Sequence, residues 1–363
     1  MKLSIGIVGL PNVGKSTLFN ALLKRQVANV ANYPFCTIEP NIGVIEVPDE
    51  RLPVLAKIVG TEKIIPAVVE FYDIAGLVKG ASEGEGLGNK FLSHIREVAA
   101  IIHVVRLFED NNIVHVSNYI DPVEDIKTIT TELVLADLST VTKQPDPRMN
   151  ATKEERNTYQ IIQEVKKGLD KGIPVRLMSL SPEEIQAISS LNLITAKPVL
   201  YVFNLSESQL EDFQNTNNKI KEVLSKLGEP PDFIALCARL ENEILSLSEN
   251  EQKEFLKHYR LDDIGLNRLI KQAYKLLGLI SMLTAGVKEV RAWTIPSGIP
   301  AQEASGVIHT DFIKHFIKAD LISYQKFVEY GGWAKAREQG QVQTVGKEYI
   351  IQEGEVVEFK IGV

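Results

Sequence analysis

The chain has 363 residues, of which 44% are hydrophobic and 24% charged, with 40 basic residues against 47 acidic ones. This balance is typical of a globular protein with two or three domains of about 150 residues, and it excludes a disordered chain. The net charge of −7 argues against a protein that coats DNA or other nucleic acid through bulk charge. No run of about 18 apolar residues occurs, and the first residues do not resemble a signal peptide. Two cysteines exclude a disulfide framework, so we expect a cytoplasmic protein, and the lack of a long apolar run predicts no membrane partner.

Short apolar runs alternate with stretches of helical periodicity over the first two thirds of the chain. A helix is predicted over residues 15–24, where Leu18 and Leu22 recur at helical spacing. The runs predicted as strands cover residues 3–8, 41–47, 67–72, 99–105, 199–203 and 233–236. This alternation predicts an α/β layer architecture.

The long interval between the fourth and fifth of these strands exceeds what a simple crossover needs. Helical periodicity covers residues 122–141 and 153–169. Ser181 followed by Pro182 and two glutamates is typical of a helix start, with serine as the N-cap. We interpret the interval as a helical insertion, for which a hairpin is one arrangement, and we expect an ordered turn at Gln144-Pro-Asp-Pro. A disordered loop is the alternative at that turn.

The last part of the chain changes character and predicts a small β-rich domain. A helix over 266–279 is expected to precede this domain, whose own expected elements are a strand over 288–295, a helix over 311–317 and strands over 348–351 and 356–361.

A phosphate-binding loop is the strongest motif in the chain. Residues 9–16 read Gly-Leu-Pro-Asn-Val-Gly-Lys-Ser, which matches G-x-x-x-x-G-K-[ST] between a predicted strand and a predicted helix. Lys15 is expected to bridge the outer phosphates, and the Ser16 hydroxyl is placed to bind Mg²⁺. The backbone N–H groups expected to face the phosphates belong to Asn12, Val13, Gly14, Lys15, Ser16 and Thr17.

An acidic residue at the end of a strand supplies the second part of this site. Residues 68–76 read Val-Val-Glu-Phe-Tyr-Asp-Ile-Ala-Gly. Asp73 is expected to hold Mg²⁺, and the Gly76 amide to meet the γ-phosphate. Thr37 is a further candidate Mg²⁺ ligand that senses the γ-phosphate, although an ordinary threonine at a strand entry is the alternative.

The stretch that reads the base departs from the guanine pattern. Guanine-specific proteins of this class use Asn-Lys-x-Asp, whereas residues 204–207 read Asn-Leu-Ser-Glu. Leu205 replaces the lysine that packs along the base, and Glu207 carries its carboxylate one methylene farther out. Cys237 and Ala238 occupy the position of the other base-contacting loop. We infer a weakened preference for GTP, although this alone does not establish a preference for adenine.

The residue at the position that usually orients the attacking water is also unusual. Ras-like enzymes carry a glutamine after the glycine of Asp-x-x-Gly, and Leu77 stands there in this chain. An alkyl side chain cannot orient water. The first candidate substitute is His115, on the loop after the fourth strand, with a surface or helix-entry histidine as the alternative reading. The second candidate is a potassium ion held by Asn12.

Together these motifs resemble the YchF family of Obg-like ATPases. The resemblance rests on residues 9–16, 32–37, 73–81, 84–89 and 204–207, and it extends to the C-terminal part. It implies a Ras-like G domain (1–121 and 192–280), a helical insertion (122–191) and a β-grasp TGS domain (281–363). It also implies an ATPase that prefers ATP, association with ribosomes and a catalytic role for His115. There are two alternatives to an ATPase. One is a GTPase of the Obg class, and the other is a nucleotide-sensing binding module whose hydrolysis is incidental.

Overall fold

The computed structural model describes residues 4–27, 41–74, 87–110 and 119–362. These residues belong to two compact units. The first unit takes its residues from the ranges 1–26, 35–43 and 70–269, and the second from 27–34, 44–69 and 270–363. The segment 44–69, which the sequence placed in the nucleotide-binding domain, therefore packs with the C-terminal part of the chain.

All six strands predicted in the first part of the chain are confirmed. The strands of the described residues are β1 (Ser4–Val8), β2 (Ile42–Glu46), β3 (Ile64–Ile65), β4 (Val68–Asp73), β5 (Ala100–Arg106), β6 (Val199–Asn204), β7 (Phe233–Leu236), β8 (Leu279–Ala285), β9 (Val290–Pro296), β10 (Phe316–Ser323), β11 (Gln343–Val345) and β12 (Glu355–Ile361).

Helices connect most of these strands. They are α1 (Lys15–Leu23), α2 (Arg51–Val59), α3 (Leu87–Glu97), α4 (Pro122–Thr142), α5 (Lys153–Asp170), α6 (Pro182–Ala187), α7 (Glu207–Glu211), α8 (Phe213–Lys226), α9 (Ala238–Ile244), α10 (Glu249–Tyr259), α11 (Gly265–Leu276), α12 (Ala301–Ser305), α13 (Asp311–His315), α14 (Tyr324–Glu329) and α15 (Trp333–Glu338). Within the described residues, no helix is both long enough and apolar enough to span a membrane.

The sheet of the first unit has the strand order β2-β4-β1-β5-β6-β7. Strand β1 pairs in parallel with β4 on one side and with β5 on the other, and β5, β6 and β7 continue in parallel. The central strands are buried on both faces, as their continuous apolar sequences predict. Because the strand order reverses at β1, the carboxyl end of β1 opens at the point where parallel sheets bind ligands.

The predicted helical insertion forms a helical hairpin with an apolar cluster of its own. Helices α4 and α5 contribute most of the cluster, which contains Val134, Val141, Ile161, Ile162, Val165, Leu169, Val175, Ile188 and Leu193. The predicted N-cap is confirmed, because the Ser181 hydroxyl accepts the Glu184 N–H and the Glu184 carboxylate accepts the Ser181 N–H. Residues 144–147, between α4 and α5, have no assigned turn, so the turn predicted there is not confirmed; the Tyr159 hydroxyl donates a hydrogen bond to Asp146 in this stretch.

The sheet of the second unit has the order β11-β10-β12-β8-β9-β3. Three predictions in this part of the chain are wrong at their boundaries. Helix α11 ends at Leu276 instead of residue 279, because Gly278 adopts a left-handed conformation (φ 66°) that ends the helix. Helix α13 stops at His315, and Ile317 belongs to β10. The predicted strand 348–351 contains only an isolated bridge from Ile350 to Pro300, and sheet pairing occurs at β11 instead.

Candidate nucleotide-binding site

The phosphate-binding loop lies between β1 and α1, as predicted. Gly14 is the N-cap of α1, in a left-handed conformation (φ 92°), and no side chain caps the helix. A Cβ atom at Gly14 would lie 2.1 Å from Asn204 Nδ2, and one at Gly9 would lie 2.8 Å from the Val104 carbonyl oxygen. Only glycine therefore fits either position. The open first turn of α1 leaves backbone N–H groups for an anion, which the helix dipole also favours.

Lys15 and Asp73 meet at the carboxyl ends of β1 and β4. The Lys15 ammonium donates a hydrogen bond to an Asp73 carboxylate oxygen, and both side chains are mostly shielded from solvent. The predicted lysine and the predicted acid of the Mg²⁺ site, 58 positions apart in the chain, are therefore neighbours in the fold. Ser16, in the first turn of α1, adds a hydroxyl group at the surface of the adjoining cavity.

A cavity of about 1080 Å³ extends from this loop across the sheet edge to the ends of β5, β6 and β7. It is large enough for a nucleoside triphosphate. The residues that line it are Leu10, Pro11, Asn12, Gly14, Lys15, Ser16, Thr17, Phe108, Glu109, Asp110, Asn204, Leu205, Ser206, Glu207, Ser208, Cys237, Ala238 and Arg239. Most of the residues predicted to bind nucleotide thus meet around one cavity, although Val13 is buried behind the loop.

The buried side chain of Asn204 ties three of the cavity walls together. Its amide nitrogen donates to the Val13 carbonyl at 2.9 Å, and its amide oxygen accepts the Ala238 N–H at 3.0 Å. Because both polar ends of the amide are used inside the protein, Asn204 fixes the phosphate loop against the base-side loops. Through these two hydrogen bonds, Asn204 links the phosphate loop to the loop at the start of α9, and we call it a brace between these loops.

The loop after β6 presents an apolar residue where the guanine pattern has a lysine. Leu205 is 2% exposed and packs in the apolar cluster that contains Phe203 and Cys237. Its N–H group already donates to the Leu236 carbonyl at 2.8 Å, so it is not available to a base. Glu207 lies in the first turn of α7 and its side chain is exposed at the cavity mouth.

Cys237 and Ala238 form the third wall, at the start of α9. Burial raises the pKa of the Cys237 thiol, and the N–H groups of Arg239 and Leu240, which favour the thiolate, offset only part of this effect. The thiol is therefore neutral at pH 7, and this wall offers a neutral, weakly polar surface to a base.

Three residues that the sequence analysis did not select also shape the cavity. The Arg106 guanidinium, at the end of β5, lies behind the phosphate loop and donates to backbone carbonyls on two walls. The Phe108 ring lines the cavity, and the Gln209 side chain donates to the Leu107 carbonyl at 2.9 Å, which ties the end of β5 to α7. For Arg106, the only signal in the sequence was its position as a charged residue at the end of the apolar run Ala-Ile-Ile-His-Val-Val-Arg.

Three predicted residues fall outside the described part of the chain: Thr37, Gly76 and His115. The same holds for Leu77. Their predicted roles stay predictions.

Three features together define a P-loop nucleotide-binding protein. They are a Gly-Lys-Ser loop at the switch point of the sheet, an aspartate beside the loop lysine and a cavity at the sheet edge. A family model described as 50S ribosome-binding GTPase matches residues 4–144, and the model for the C-terminal domain of YchF GTPases, described as a protein of unknown function, matches residues 279–362. Ribosome-binding ATPase YchF of Bacillus subtilis is 47% identical, and that of Escherichia coli O157:H7 is 46% identical, each over the full length of both chains.

A solved structure shows the same similarity in three dimensions. The YchF GTPase of Schizosaccharomyces pombe is 38% identical and superposes with a TM-score of 0.86, covering 99% of this chain and 98% of that one. The chain therefore belongs to the YchF family, as its motifs predict.

Proposed function

We propose that the protein is a Mg²⁺-dependent ATPase whose nucleotide state controls its association with the ribosome. The observation that carries the proposal is the single cavity that joins a phosphate-binding loop to a base-side loop without the guanine pattern. The bacterial relatives are named ribosome-binding ATPases, which supports both the substrate and the partner.

The phosphate end of the cavity has the groups that a Mg²⁺–triphosphate complex requires. Mg²⁺ prefers hard oxygen ligands and usually keeps water and phosphate oxygens in its shell. The Ser16 hydroxyl and the Asp73 carboxylate fit that preference, and Thr37 is proposed as a further ligand. When bound, the ion neutralises phosphate charge and polarises the transferred phosphoryl group. Because the Lys15 ammonium contacts Asp73, nucleotide binding exchanges this ion pair for contacts to phosphate and metal.

The base end of the cavity lacks the groups that read guanine. A lysine that stacks on the base and an aspartate that accepts two hydrogen bonds from guanine are replaced by the buried Leu205 and the exposed Glu207. A pocket that has lost such a hydrogen-bond pair discriminates weakly for guanine. GTP hydrolysis is the second candidate activity, because the solved fission-yeast relative is titled a GTPase.

We expect ATP to bind more tightly than GTP, because the bacterial relatives are named ATPases and the base loop lacks the guanine pattern. The measurement is the ratio of the two dissociation constants by calorimetry, with Mg²⁺ and potassium present. Glu222→Ala serves as a control, since this exposed carboxylate on α8 does not line the cavity. If GTP binds about tenfold more tightly than ATP, a free-energy difference of about 1.4 kcal/mol, the ATPase proposal is wrong.

Replacement of His115 by alanine is expected to lower kcat at least about tenfold and to leave the affinity for ATP nearly intact, because we propose that the imidazole orients the attacking water. Single-turnover hydrolysis measures this effect. His258→Ala, on an exposed position of α10, is the matched control. A wild-type rate for His115→Ala removes His115 from the mechanism. Repeating the assay with sodium in place of potassium then tests the second candidate, a potassium ion held by Asn12.

A nucleotide-dependent association with ribosomes is expected, because a P-loop switch changes its partner affinity with the γ-phosphate. Co-sedimentation with ribosomes in the presence of ADP or of a non-hydrolysable ATP analogue measures the difference. Association that is absent, or equal in the two states, contradicts the switch and favours a nucleotide-sensing module with incidental hydrolysis.

A further inference from the structure

Arg106 is a buried cation that the proposed chemistry does not use. It is the last residue of β5, it is 1% exposed, and the strand before it is apolar. Burying a guanidinium is costly unless its N–H groups are hydrogen-bonded. The partners of Arg106 therefore show what it does in the fold.

Three of these partners are backbone carbonyls of residues that line the cavity. The Nε atom donates to the Phe108 carbonyl at 3.0 Å and Nη2 donates to the Asp110 carbonyl at 3.3 Å. Nη1 makes a longer contact of 3.5 Å with the Asn12 carbonyl. The guanidinium also stacks on the Phe108 ring, 4.3 Å from the ring centre. One rigid planar group thus joins the phosphate loop to the segment after β5.

The contact with Asn12 falls where the phosphate loop needs support. Asn12 has a left-handed backbone conformation (φ 64°), which is sparsely populated for residues other than glycine. The direction of the following N–H groups depends on this conformation, and those groups are expected to bind phosphate. Phe108 and Asp110, held by the same guanidinium, also line the cavity. Arg106 itself does not line the cavity, so it acts through these neighbours.

We propose that Arg106 is a positioning residue for nucleotide binding: its forked hydrogen bonds fix the Asn12 peptide and the Phe108–Asp110 segment in the geometry that receives the nucleotide. The three hydrogen-bond directions require the planar fork, which a lysine ammonium cannot reproduce. Charge alone is therefore not sufficient at this position.

The test compares Arg106→Lys with Arg176→Lys. Arg176 is a second shielded arginine in the same unit, and it bonds to Glu229 and the Tyr201 hydroxyl, neither of which lines the cavity. For both full-length variants, the dissociation constant of a fluorescent ATP analogue with Mg²⁺, the values of KM and kcat for ATP, and the urea midpoint of unfolding are measured.

For Arg106→Lys we expect the dissociation constant and KM to rise about tenfold while kcat falls less than about threefold. The reason is that contacts which stabilise the bound substrate and the transition state equally change the affinity and leave the rate of the bound complex nearly unchanged. For Arg176→Lys we expect a lower urea midpoint with the dissociation constant within about twofold of wild type. A folded Arg106→Lys protein with wild-type affinity overturns the proposal, as does an equal loss of affinity in Arg176→Lys. Should Arg106→Lys fail to fold, Arg106→Gln, which keeps one amide donor, gives the same comparison.

Discussion

Lys15→Ala is expected to lose roughly 100-fold or more in kcat/KM for ATP, the scale observed when a preorganised donor to developing negative charge is removed. The physical reason is that Lys15 supplies the one full positive charge that the loop motif places against the outer phosphates. The substitution also leaves Asp73 without the ammonium that it contacts in this structure. Repulsion between that carboxylate and the phosphates then adds to the loss of affinity.

A lysine at the other end of the same helix provides the control for this prediction. Lys24 follows the last turn of α1 and is exposed, and its ammonium donates to the Asn242 carbonyl, away from the cavity, so Lys24→Ala is expected to bind and hydrolyse ATP normally. Both variants are assayed for ATP binding by calorimetry and for phosphate release. If Lys15→Ala keeps full binding and turnover, residues 9–16 are not a phosphate-binding loop and the proposed function fails with them.

Asn204→Ala is expected to have the second-largest effect, on stability and on nucleotide binding together. It leaves the Val13 carbonyl and the Ala238 N–H without the hydrogen bonds that they now make to a side chain that is 5% exposed. Each buried polar group left unsatisfied costs about 1–3 kcal/mol, so we expect the free energy of unfolding to fall by roughly 2–6 kcal/mol. Because the three loops are no longer tied, the affinity for ATP is expected to fall at least about tenfold.

Urea unfolding and calorimetric ATP titration measure these two effects. The matched control is Asn215→Ala, on the exposed face of α8, where the amide only contacts the neighbouring Asp212. Asn204→Asp refines the test, since a carboxylate still accepts the Ala238 N–H but cannot donate to the Val13 carbonyl. An Asn204→Ala protein as stable and as tight-binding as the Asn215 variant would show that the brace has no energetic role.

These variants address a single structural feature, the network of polar side chains behind the cavity. Asn204 joins the phosphate loop to the loops after β6 and β7, Arg106 joins it to the segment after β5, and Gln209 joins that segment to α7. Loops gain their precision from such contacts, because their own backbones have few regular hydrogen bonds. We therefore expect affinity to be lost in variants of residues whose side chains hold these loops in place.

The strands and the phosphate loop were predictable from the sequence because the signals for them are local. A continuous apolar run predicts a buried parallel strand wherever it stands in the chain. Residues 9–16 are contiguous, and Gly14 is required by its own backbone dihedral angle, so the motif can be recognised without knowledge of the fold. The start of α6 was predictable for the same reason, since serine, proline and glutamate cap a helix within four positions.

The errors lie where local signals are ambiguous. Leu279 continues a helical pattern, yet the positive φ of Gly278 ends α11 before it. Residues 348–351 have strand-forming side chains, yet among the described residues they make only an isolated bridge from Ile350 to Pro300. Strand formation depends on which neighbours the fold provides, and periodicity alone does not contain that information.

The sequence by itself determined the phosphate-binding motif and the departure of the base loop from the guanine pattern. Each of these depends on a short stretch of adjoining residues. Only the tertiary structure decided how the phosphate loop is joined to the loops at the ends of the other strands. Asn204 and the Val13 carbonyl are 191 positions apart, and Arg106 and the Asn12 carbonyl are 94 apart. No local pattern encodes such contacts, because parallel strands bring their carboxyl ends to one edge only when the whole sheet has formed.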